Sequence, residues 1–249
     1  MIKEKKRLLE ICVDSVSNAL IAEEAGVQRI EFCANPLEGG TTPSMAQIQT
    51  ARKHLHIPLY VLIRPRGGDF LYNDLEFEIM KSDIHFCGQT GCDGVVTGML
   101  RANGTVDIKR CYDLVEIARQ YKMGVTFHRA FDRSNHLFLA MEAAIDLGYE
   151  RILTSGGCNT AIEGADVIRQ LIERADNRIV IMPGSGVTPE NVAELILKTK
   201  LTELHGTFRS QAESKMQYRN TKLNRQEEYH LLQTDTEKIK RVLKHLNNQ

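Results

Sequence analysis

The sequence has no excess of charge of either sign and no long apolar run. It contains 32 lysines and arginines and 32 aspartates and glutamates, so its formal net charge is zero. A chain without a global positive field does not attract nucleic acid or an anionic membrane surface. No stretch approaches the roughly 18 continuous apolar residues of a membrane-spanning helix. We therefore expect neither nucleic acid nor membrane as a partner, and any anion binding must come from a local cluster of charge.

Cysteine is sparse and scattered, with six residues at positions 12, 33, 87, 92, 111 and 158. A secreted, disulfide-stabilised domain is shorter and carries its cysteines more densely. The beginning of the chain, MIKEKKRLLEICV, has basic residues but lacks the apolar segment and cleavage site of a secretory signal. We therefore expect reduced thiols and a cytoplasmic location.

Short β-rich apolar runs alternate with longer amphipathic runs along the chain. Strict alternation of this kind is typical of a parallel sheet, because each crossover helix returns the chain to the same end. Eight units in 249 residues match the roughly 250 residues of a lone barrel. The sequence therefore predicts an α/β fold, a single (β/α)8 TIM-type barrel of eight parallel strands with outer helices. The predicted strands are Leu8–Val13, Arg29–Cys33, Leu59–Arg64, Gly94–Thr97, Gly124–His128, Arg151–Thr154, Ile179–Met182 and Glu203–His205.

No linker rich in proline, glycine or serine divides the chain, so we expect one domain over residues 1–249. A polar tail begins at about residue 208 and ends in a helix near Asp235–Leu246, which packs outside the barrel or in a subunit contact. Barrels often associate through their outer helices, so a homo-oligomer is expected. The predicted helices between the strands include Val16–Ala25, Met45–His54, Ile108–Tyr121, Leu137–Leu147, Ala165–Ala175 and Pro189–Leu197.

A doubly wound open sheet is the competing architecture. It normally carries a glycine-rich dinucleotide-binding turn after its first strand. Here the first strand runs into Asp14, Ser15 and Val16 without a glycine. The barrel is therefore favoured, and no organic cofactor is indicated.

The first two strands share the pattern Glu-x-Cys, as Glu10 with Cys12 and Glu31 with Cys33. Side chains two residues apart on a strand share a face, and neighbouring strands lie about 4.8 Å apart. Two thiols at matching heights form a site for a soft ion such as Cu(I). The alternative is that both cysteines are small buried apolar residues, and the spacing leaves both interpretations open.

Charged residues at the strand ends predict a polar pocket. A carboxylate inside an apolar strand is costly unless it is paired, and the third strand ends in two candidate partners, Arg64 and Arg66. Charged groups at the C-terminal ends of barrel strands are where barrel chemistry lies. We expect Glu10 and Glu31, together with Arg64 and Arg66, to line a functional pocket. The alternative is that they form a salt-bridge network that closes the top of the barrel.

The fifth strand ends in His128, followed by Asp132. A histidine at this position is able to transfer protons near neutral pH. Asp132 either orients His128 or caps the next helix. His205, at the end of the eighth strand, is a second candidate. For this residue a role in the functional site and a purely structural role are both open.

Two glycine-containing loops resemble anion-binding turns. One contains Ser155, Gly156 and Gly157 after the sixth strand, and the other contains Gly184, Ser185 and Gly186 after the seventh. Barrel phosphate sites often use the later loops and backbone N–H groups. We expect a phosphate, sulfate or carboxylate site there, against the alternative of tight turns. No lysine stands at a predicted strand end for Schiff-base chemistry, and no ligand spacing indicates zinc or magnesium.

These motifs resemble the copper homeostasis protein CutC family over nearly the whole chain. The resemblance implies a cytoplasmic (β/α)8 barrel associated with copper binding and copper homeostasis. It also implies that Cys12 and Cys33 are Cu(I) ligands, whereas the other four cysteines lie outside the shared motifs. The matching stretches are LLEICVDS, EFCANPLEGGTTPS, IRPRGGDFLYND, GVVTGML, VTFHRAFD, LTSGG, GSGVTPENV, ELHG and MQYRN.

Two functions follow from the sequence. The first is a Cu(I)-binding protein of copper homeostasis. The second is a barrel enzyme, an isomerase, lyase or hydrolase, that acts on a small anionic or phosphorylated metabolite. In the second, Glu10, Glu31 and His128 are the acid–base candidates and Arg64 and Arg66 bind the anion.

Overall fold

The computed structural model describes residues 7–222 and 226–247. Its centre is a sheet of eight parallel strands, which confirms the predicted barrel. Most predicted strand bounds agree within two residues. The strands are β1 (Leu8–Val13), β2 (Arg29–Phe32), β3 (Leu59–Leu62), β4 (Gly94–Thr97), β5 (Gly124–Phe127), β6 (Arg151–Thr154), β7 (Val180–Pro183) and β8 (Glu203–Gly206).

A helix follows every strand of the barrel. Side-chain caps fix several helix starts: the Ser15 hydroxyl accepts from the Asn18 N–H, and Ser44 and Gln47 form a reciprocal capping box. The seventh helix begins three residues later than predicted, at Val192. The helices are α1 (Val16–Glu24), α2 (Met45–His54), α3 (Asp74–Thr90), α4 (Ile108–Gln120), α5 (Leu137–Leu147), α6 (Ala165–Ala175), α7 (Val192–Thr199) and α8 (Thr236–Asn247).

The register between β1 and β2 is shifted from the one that the repeated Glu-x-Cys pattern suggested. Glu10 lies opposite Arg29, and Cys12 lies opposite Glu31. The two cysteines therefore do not stand at matching heights, because β2 is displaced by two residues along β1. A displacement between neighbours is required when tilted strands close into a barrel.

Each strand divides its side chains between two environments. Leu9, Ile11 and Ile30 are fully buried with the apolar residues of the outer helices, whereas Glu10, Arg29 and Glu31 alternate with them on the opposite face. The barrel interior is therefore unusually rich in charge, and the apolar core lies between the sheet and its helices.

Within the described residues, β7 and β8 are the two ends of the hydrogen-bonded sheet. They lie side by side, but no backbone ladder joins them. One ion pair connects the two ends of the sheet instead, since Glu203 of β8 accepts from Arg151 of β6; Glu203 also accepts from Arg29 of β2, on its own side of the gap.

The tail contains an antiparallel hairpin that the sequence did not predict, formed by β9 (Arg209–Glu213) and β10 (His230–Thr234). The α8 helix follows it and buries Ile239, Val242 and Leu246 in the main core. The tail helix thus packs outside the barrel and is the eighth helix of the (β/α)8 arrangement. Among the described residues, no helix is both long and apolar enough to cross a membrane.

Candidate functional site

A cavity of about 370 Å³ opens at the C-terminal ends of the strands, and we call it the mouth cavity. Its size is within the roughly 300–1,000 Å³ of small-molecule sites. It contains most of the chemically distinctive residues noted in the sequence. Its lining residues are Cys12, Glu31, Cys33, Pro36, Gly39, Gly40, Leu62, Arg64, Phe70, His128, Arg129, Leu153, Ser185, Gly186, Val187, His205, Gly206, Thr207 and Arg209.

Two thiols meet at the wall of the mouth cavity. The Sγ atoms of Cys12 and Cys33 are 3.3 Å apart, although the residues stand at different heights. Cys12 is half-buried and Cys33 is fully buried. Gly40, with a φ of +89°, lets the following loop pass close to Cys33, since a Cβ there would lie 3.5 Å from the Cys33 Cβ and 2.7 Å from Leu62.

A hydrogen bond with Cys33, burial and the charge of Glu31 raise the pKa of the Cys12 thiol well above its ordinary value. Without a metal, Cys12 is therefore a protonated thiol at neutral pH. A soft cation that binds here must displace that proton.

A second set of metal-binding groups overlaps the thiol pair. One ligand atom each from Cys12, Glu31 and His205 lies within 4.8 Å of the other two. These residues come from β1, β2 and β8, so no local spacing in the sequence announces the cluster. Burial raises the pKa of Glu31. Burial opposes the charged form of His205, but the carboxylates of Glu31 and Glu10 outweigh it and raise the pKa of His205.

Glu10 lies beneath the mouth cavity rather than in its lining. Its side chain is fully buried and pairs with Arg29 and with His205, whose Nδ1 lies 2.7 Å from Glu10 Oε1. Burial alone would favour the neutral acid, but Arg29 and His205 hold the pKa of Glu10 at about 2. The expectation that strand three neutralises Glu10 is wrong, because the positive partner comes from the start of β2.

Arg64 and Arg66 have different environments. Arg64 is 5 % exposed and lines the mouth cavity, where its guanidinium donates to the carbonyls of Glu38, Gly40 and Gly68. Arg66 is turned to the outer surface, where it pairs with Asp69 and Glu76. The two arginines therefore do not form a joint anion clamp.

His128 is 4 % exposed and lies beside Phe70, with ring centroids 4.9 Å apart. Burial, and then the charge of Arg64, lower the pKa of His128 to about 3. Its Nδ1 accepts from the Ala130 N–H, so the neutral ring carries its proton on Nε2. Nε2 has no hydrogen-bond partner in the described structure. The expected proton shuttle is therefore replaced by a neutral hydrogen-bond donor.

Asp132 neither orients His128 nor caps α5, whose N-cap is His136. Its carboxylate accepts from the Ser155 and Gly157 N–H groups at 3.0 Å and pairs with Arg129. The Gly156 N–H donates to the Thr154 hydroxyl. The amides of this loop are thus paired within the protein, and Asp132 occupies the position that an external anion would take.

The loop after β7 keeps free backbone donors. Gly184 is packed in the wall, and its N–H donates to the Thr154 carbonyl. Ser185 and Gly186 line the mouth cavity with φ of +81° and +66°. Across the described residues, the N–H groups of Ser185, Gly186 and Val187 have no acceptor. A turn that exposes successive N–H groups is typical of anion binding.

Sequence reasoning missed Arg209, which lines the mouth cavity and donates to the Cys12 carbonyl at 3.2 Å. Its place three residues after the end of β8 is a usable signal, since the segments that follow the barrel strands at this end build barrel sites. It also missed Arg29, Arg151 and Glu203, which begin their strands and form the charged layer below the cavity.

The fold and this site define a (β/α)8 barrel with a polar, thiol-containing cavity at the C-terminal ends of its strands. The family model described as the CutC family matches residues 7–210. The copper homeostasis protein cutC homolog of Mus musculus is 45% identical over 238 residues, with 94% of this chain and 87% of that protein covered. The chain belongs to the CutC family.

A bacterial relative and a solved structure support the same family, and a more distant structure shares only the fold. A CutC family protein of Chromobacterium violaceum is 46% identical over 213 residues, covering 86% of this chain and 85% of its own. The crystal structure of a CutC copper homeostasis protein from Streptococcus agalactiae matches with a TM-score of 0.76 and 36% identity, over 81% of this chain and 98% of that one. Phosphoribosyl anthranilate isomerase from Thermotoga maritima shares the barrel fold, with a TM-score of 0.59, 14% identity, and 98% of this chain and 100% of that chain covered.

Proposed function

We propose that the protein serves copper homeostasis by binding Cu(I) between Cys12 and Cys33. The observation that carries this proposal is the 3.3 Å separation of the two Sγ atoms at the wall of an open cavity. With the zinc–sulfur length of about 2.3 Å as a guide, two metal–sulfur bonds span sulfur–sulfur separations up to about 4.6 Å. The pair therefore needs only a small side-chain adjustment to hold one ion.

The donor set favours Cu(I) over harder ions. Thiolate sulfur is the ligand that Cu(I) selects, and two thiolates suffice at low coordination number. The Cys12–Glu31–His205 set offers sulfur, oxygen and nitrogen, which suits Zn²⁺. Both sets share Cys12, so one ion excludes the other.

The surroundings fit a retained ion better than one passed on rapidly. Cys33 is fully buried, and only Cys12 is partly reached by solvent. The thiols must also stay reduced to bind, which agrees with the cytoplasmic location that the family implies. We therefore infer that the protein holds Cu(I) within its cavity rather than on an exposed surface loop.

Anaerobic competition between the protein and a chromophoric Cu(I) chelator tests this proposal. The wild type should take one Cu(I) per chain, and Cys12→Ser or Cys33→Ser should abolish that competition. Cys158→Ser is the matched control, because Cys158 is also a half-buried free cysteine but lies outside the mouth cavity. Unchanged Cu(I) binding in the double Cys12→Ser/Cys33→Ser variant would refute the site.

One further variant separates the two ligand sets. Glu31→Gln should leave Cu(I) binding within a fewfold of the wild type but weaken Zn²⁺ binding. If Glu31→Gln weakens Cu(I) binding and Cys33→Ser leaves it unchanged, the ion is held by the mixed set and not by the thiol pair.

A further inference from the structure

The charges around the mouth cavity do not balance. Three arginines line it, Arg64, Arg129 and Arg209, against one acidic residue, Glu31. Arg129 is paired with Asp132. Arg64 and Arg209 have no carboxylate within salt-bridge distance in the part of the chain that the structure describes. The cavity is therefore short of negative charge by about the charge of one small anion.

Arg64 contributes most to this excess of positive charge, because it is a buried cation without a carboxylate partner among the described residues. A buried cation is costly unless a negative group compensates it, yet Arg64 is 5 % exposed and donates only to backbone carbonyls. Its Nε has no hydrogen-bond partner among residues 7–222 and 226–247. Its guanidinium stacks on Phe70, 5.0 Å from the ring centroid, which fixes its orientation at the cavity wall.

His128 adds a second unpaired buried donor to the same wall. Because its Nδ1 accepts from Ala130, the proton is on Nε2, a buried atom of the cavity wall that has no partner among the described residues. A neutral imidazole donor polarises a ligand oxygen without adding charge. Ser185, Gly186 and Val187 bring unpaired backbone N–H groups to the opposite side, after β7.

We propose that the mouth cavity binds a small organic oxyanion, a phosphate ester or a carboxylate, between Arg64, Arg209 and the Ser185–Gly186 turn. His128 Nε2–H donates to an oxygen of the ligand. The apolar side chains of Leu62, Phe70, Leu153 and Val187 line the same space. A cavity of about 370 Å³ exceeds what an inorganic ion fills, so the ligand carries a carbon skeleton or ring against this apolar part. The donors to the anion are different residues from the metal ligands, although both sets line the mouth cavity, and the inference goes beyond the proposed copper function.

Titration calorimetry with phenyl phosphate, benzoate and phenol tests this inference on the full chain. Phenol is the uncharged control for the ring. We expect one of the two anions to bind and phenol not to bind. The better anion identifies the class, phosphate ester or carboxylate. Equal binding of phenol and both anions, or no binding of either anion at millimolar concentration, would overturn the proposal.

Variants locate the site. A hydrogen bond to a charged group is worth enough that Arg64→Met should weaken the anion by about 10- to 100-fold. Arg66→Met is the matched control, since Arg66 is two residues away but outside the cavity, and it should leave binding unchanged. Arg209→Met keeps the test decisive if Arg64→Met fails to fold, because Arg209 is half-buried and, within the described part of the chain, its guanidinium donates to the Cys12 carbonyl alone. Unchanged affinity in Arg209→Met and in a folded Arg64→Met would refute the site.

Two further readouts separate this inference from the copper proposal. The Cys12→Ser/Cys33→Ser double variant should still bind the anion, because no thiol contributes a donor to it. In the wild type, the Nε2–H signal of His128 in a histidine-selective ¹⁵N spectrum should shift when the anion is added. A signal that stays in place while the anion binds would place the ligand elsewhere.

Discussion

The ion pair below the mouth cavity gives a quantitative prediction for Glu10→Gln. This substitution keeps the shape of the side chain but removes the charge that faces Arg29 and His205. The pKa of Glu10 is lowered from its ordinary value of 4.5 to about 2. At about 1.4 kcal/mol per pKa unit, the carboxylate contributes about 3 kcal/mol to the free energy of unfolding at neutral pH.

The sign of the pH dependence follows from the direction of the shift. A carboxyl group with a lowered pKa in the folded state contributes its full stability above the unfolded-state value of 4.5. That contribution is lost as the pH falls through the folded-state value of about 2. The advantage of the wild type over Glu10→Gln should therefore be about 3 kcal/mol at pH 5.5 and about 2 kcal/mol at pH 3.5.

Urea unfolding, followed by circular dichroism at these two pH values, measures the difference. The range avoids the titration of His205, whose pKa is raised above its ordinary value of 6.5. Glu173→Gln is the control, because Glu173 pairs with Arg169 on the exposed surface, and it should change stability little. A wild-type advantage that stays the same at both pH values would show that the charge of Glu10 does not stabilise the fold.

Two other predictions concern proton release and loop structure. Because the pKa of the Cys12 thiol is raised, Cu(I) affinity should rise with pH, by about 10-fold per pH unit for the proton that Cys12 loses. Chelator competition between pH 6 and 8 measures the slope, and a flat profile would exclude Cys12 as a thiolate ligand. Asp132→Asn should lower the free energy of unfolding by about 1–3 kcal/mol, since it weakens the acceptor for the Ser155 and Gly157 N–H groups. Urea unfolding measures this change. A variant with the midpoint and slope of the wild type would show that the loop does not depend on that carboxylate.

The barrel could be predicted because its signals are local. Alternating apolar runs and amphipathic runs identify eight strands and most helices, and each depends on residues within one element. The β9–β10 hairpin could not be predicted, since neither strand has an apolar alternation: Arg209–Glu213 is polar and half-buried or exposed, and His230–Thr234 is mostly exposed. The two strands pair because the fold brings them together across residues 214–229. The sequence pattern within either strand does not reveal this pairing.

The sequence predicts that the site lies at the C-terminal ends of the strands. It does not predict which side chains pair with one another there. Strand position alone indicates that Cys12, Glu31, Arg64 and His128 reach the same mouth. It does not reveal the two-residue displacement of β2 that places Arg29 opposite Glu10. Register is set by how tilted strands close into a cylinder, which is a property of the whole sheet.

The two glycine-containing loops were both expected to bind an anion, but they differ in the structure. Both consist of small residues, and nothing in their local sequence distinguishes them. Asp132, more than 20 residues earlier in the chain, supplies the acceptor for one loop, whereas the Ser185–Gly186 turn receives none from the described residues. Whether a turn binds an external anion is thus decided by a distant side chain.

The seam between β7 and β8 gives the mouth cavity a mechanical property. Among the described residues the sheet ends there, so local separation of the two strands breaks no backbone ladder and is resisted mainly by side-chain packing and by the half-buried Arg151–Glu203 ion pair. The Ser185–Gly186 turn and Arg209 stand on opposite sides of this seam. An oxyanion that bridges them is a noncovalent cross-link between the two free ends of the sheet, so occupancy of the cavity would stiffen the cylinder where its own backbone leaves it open.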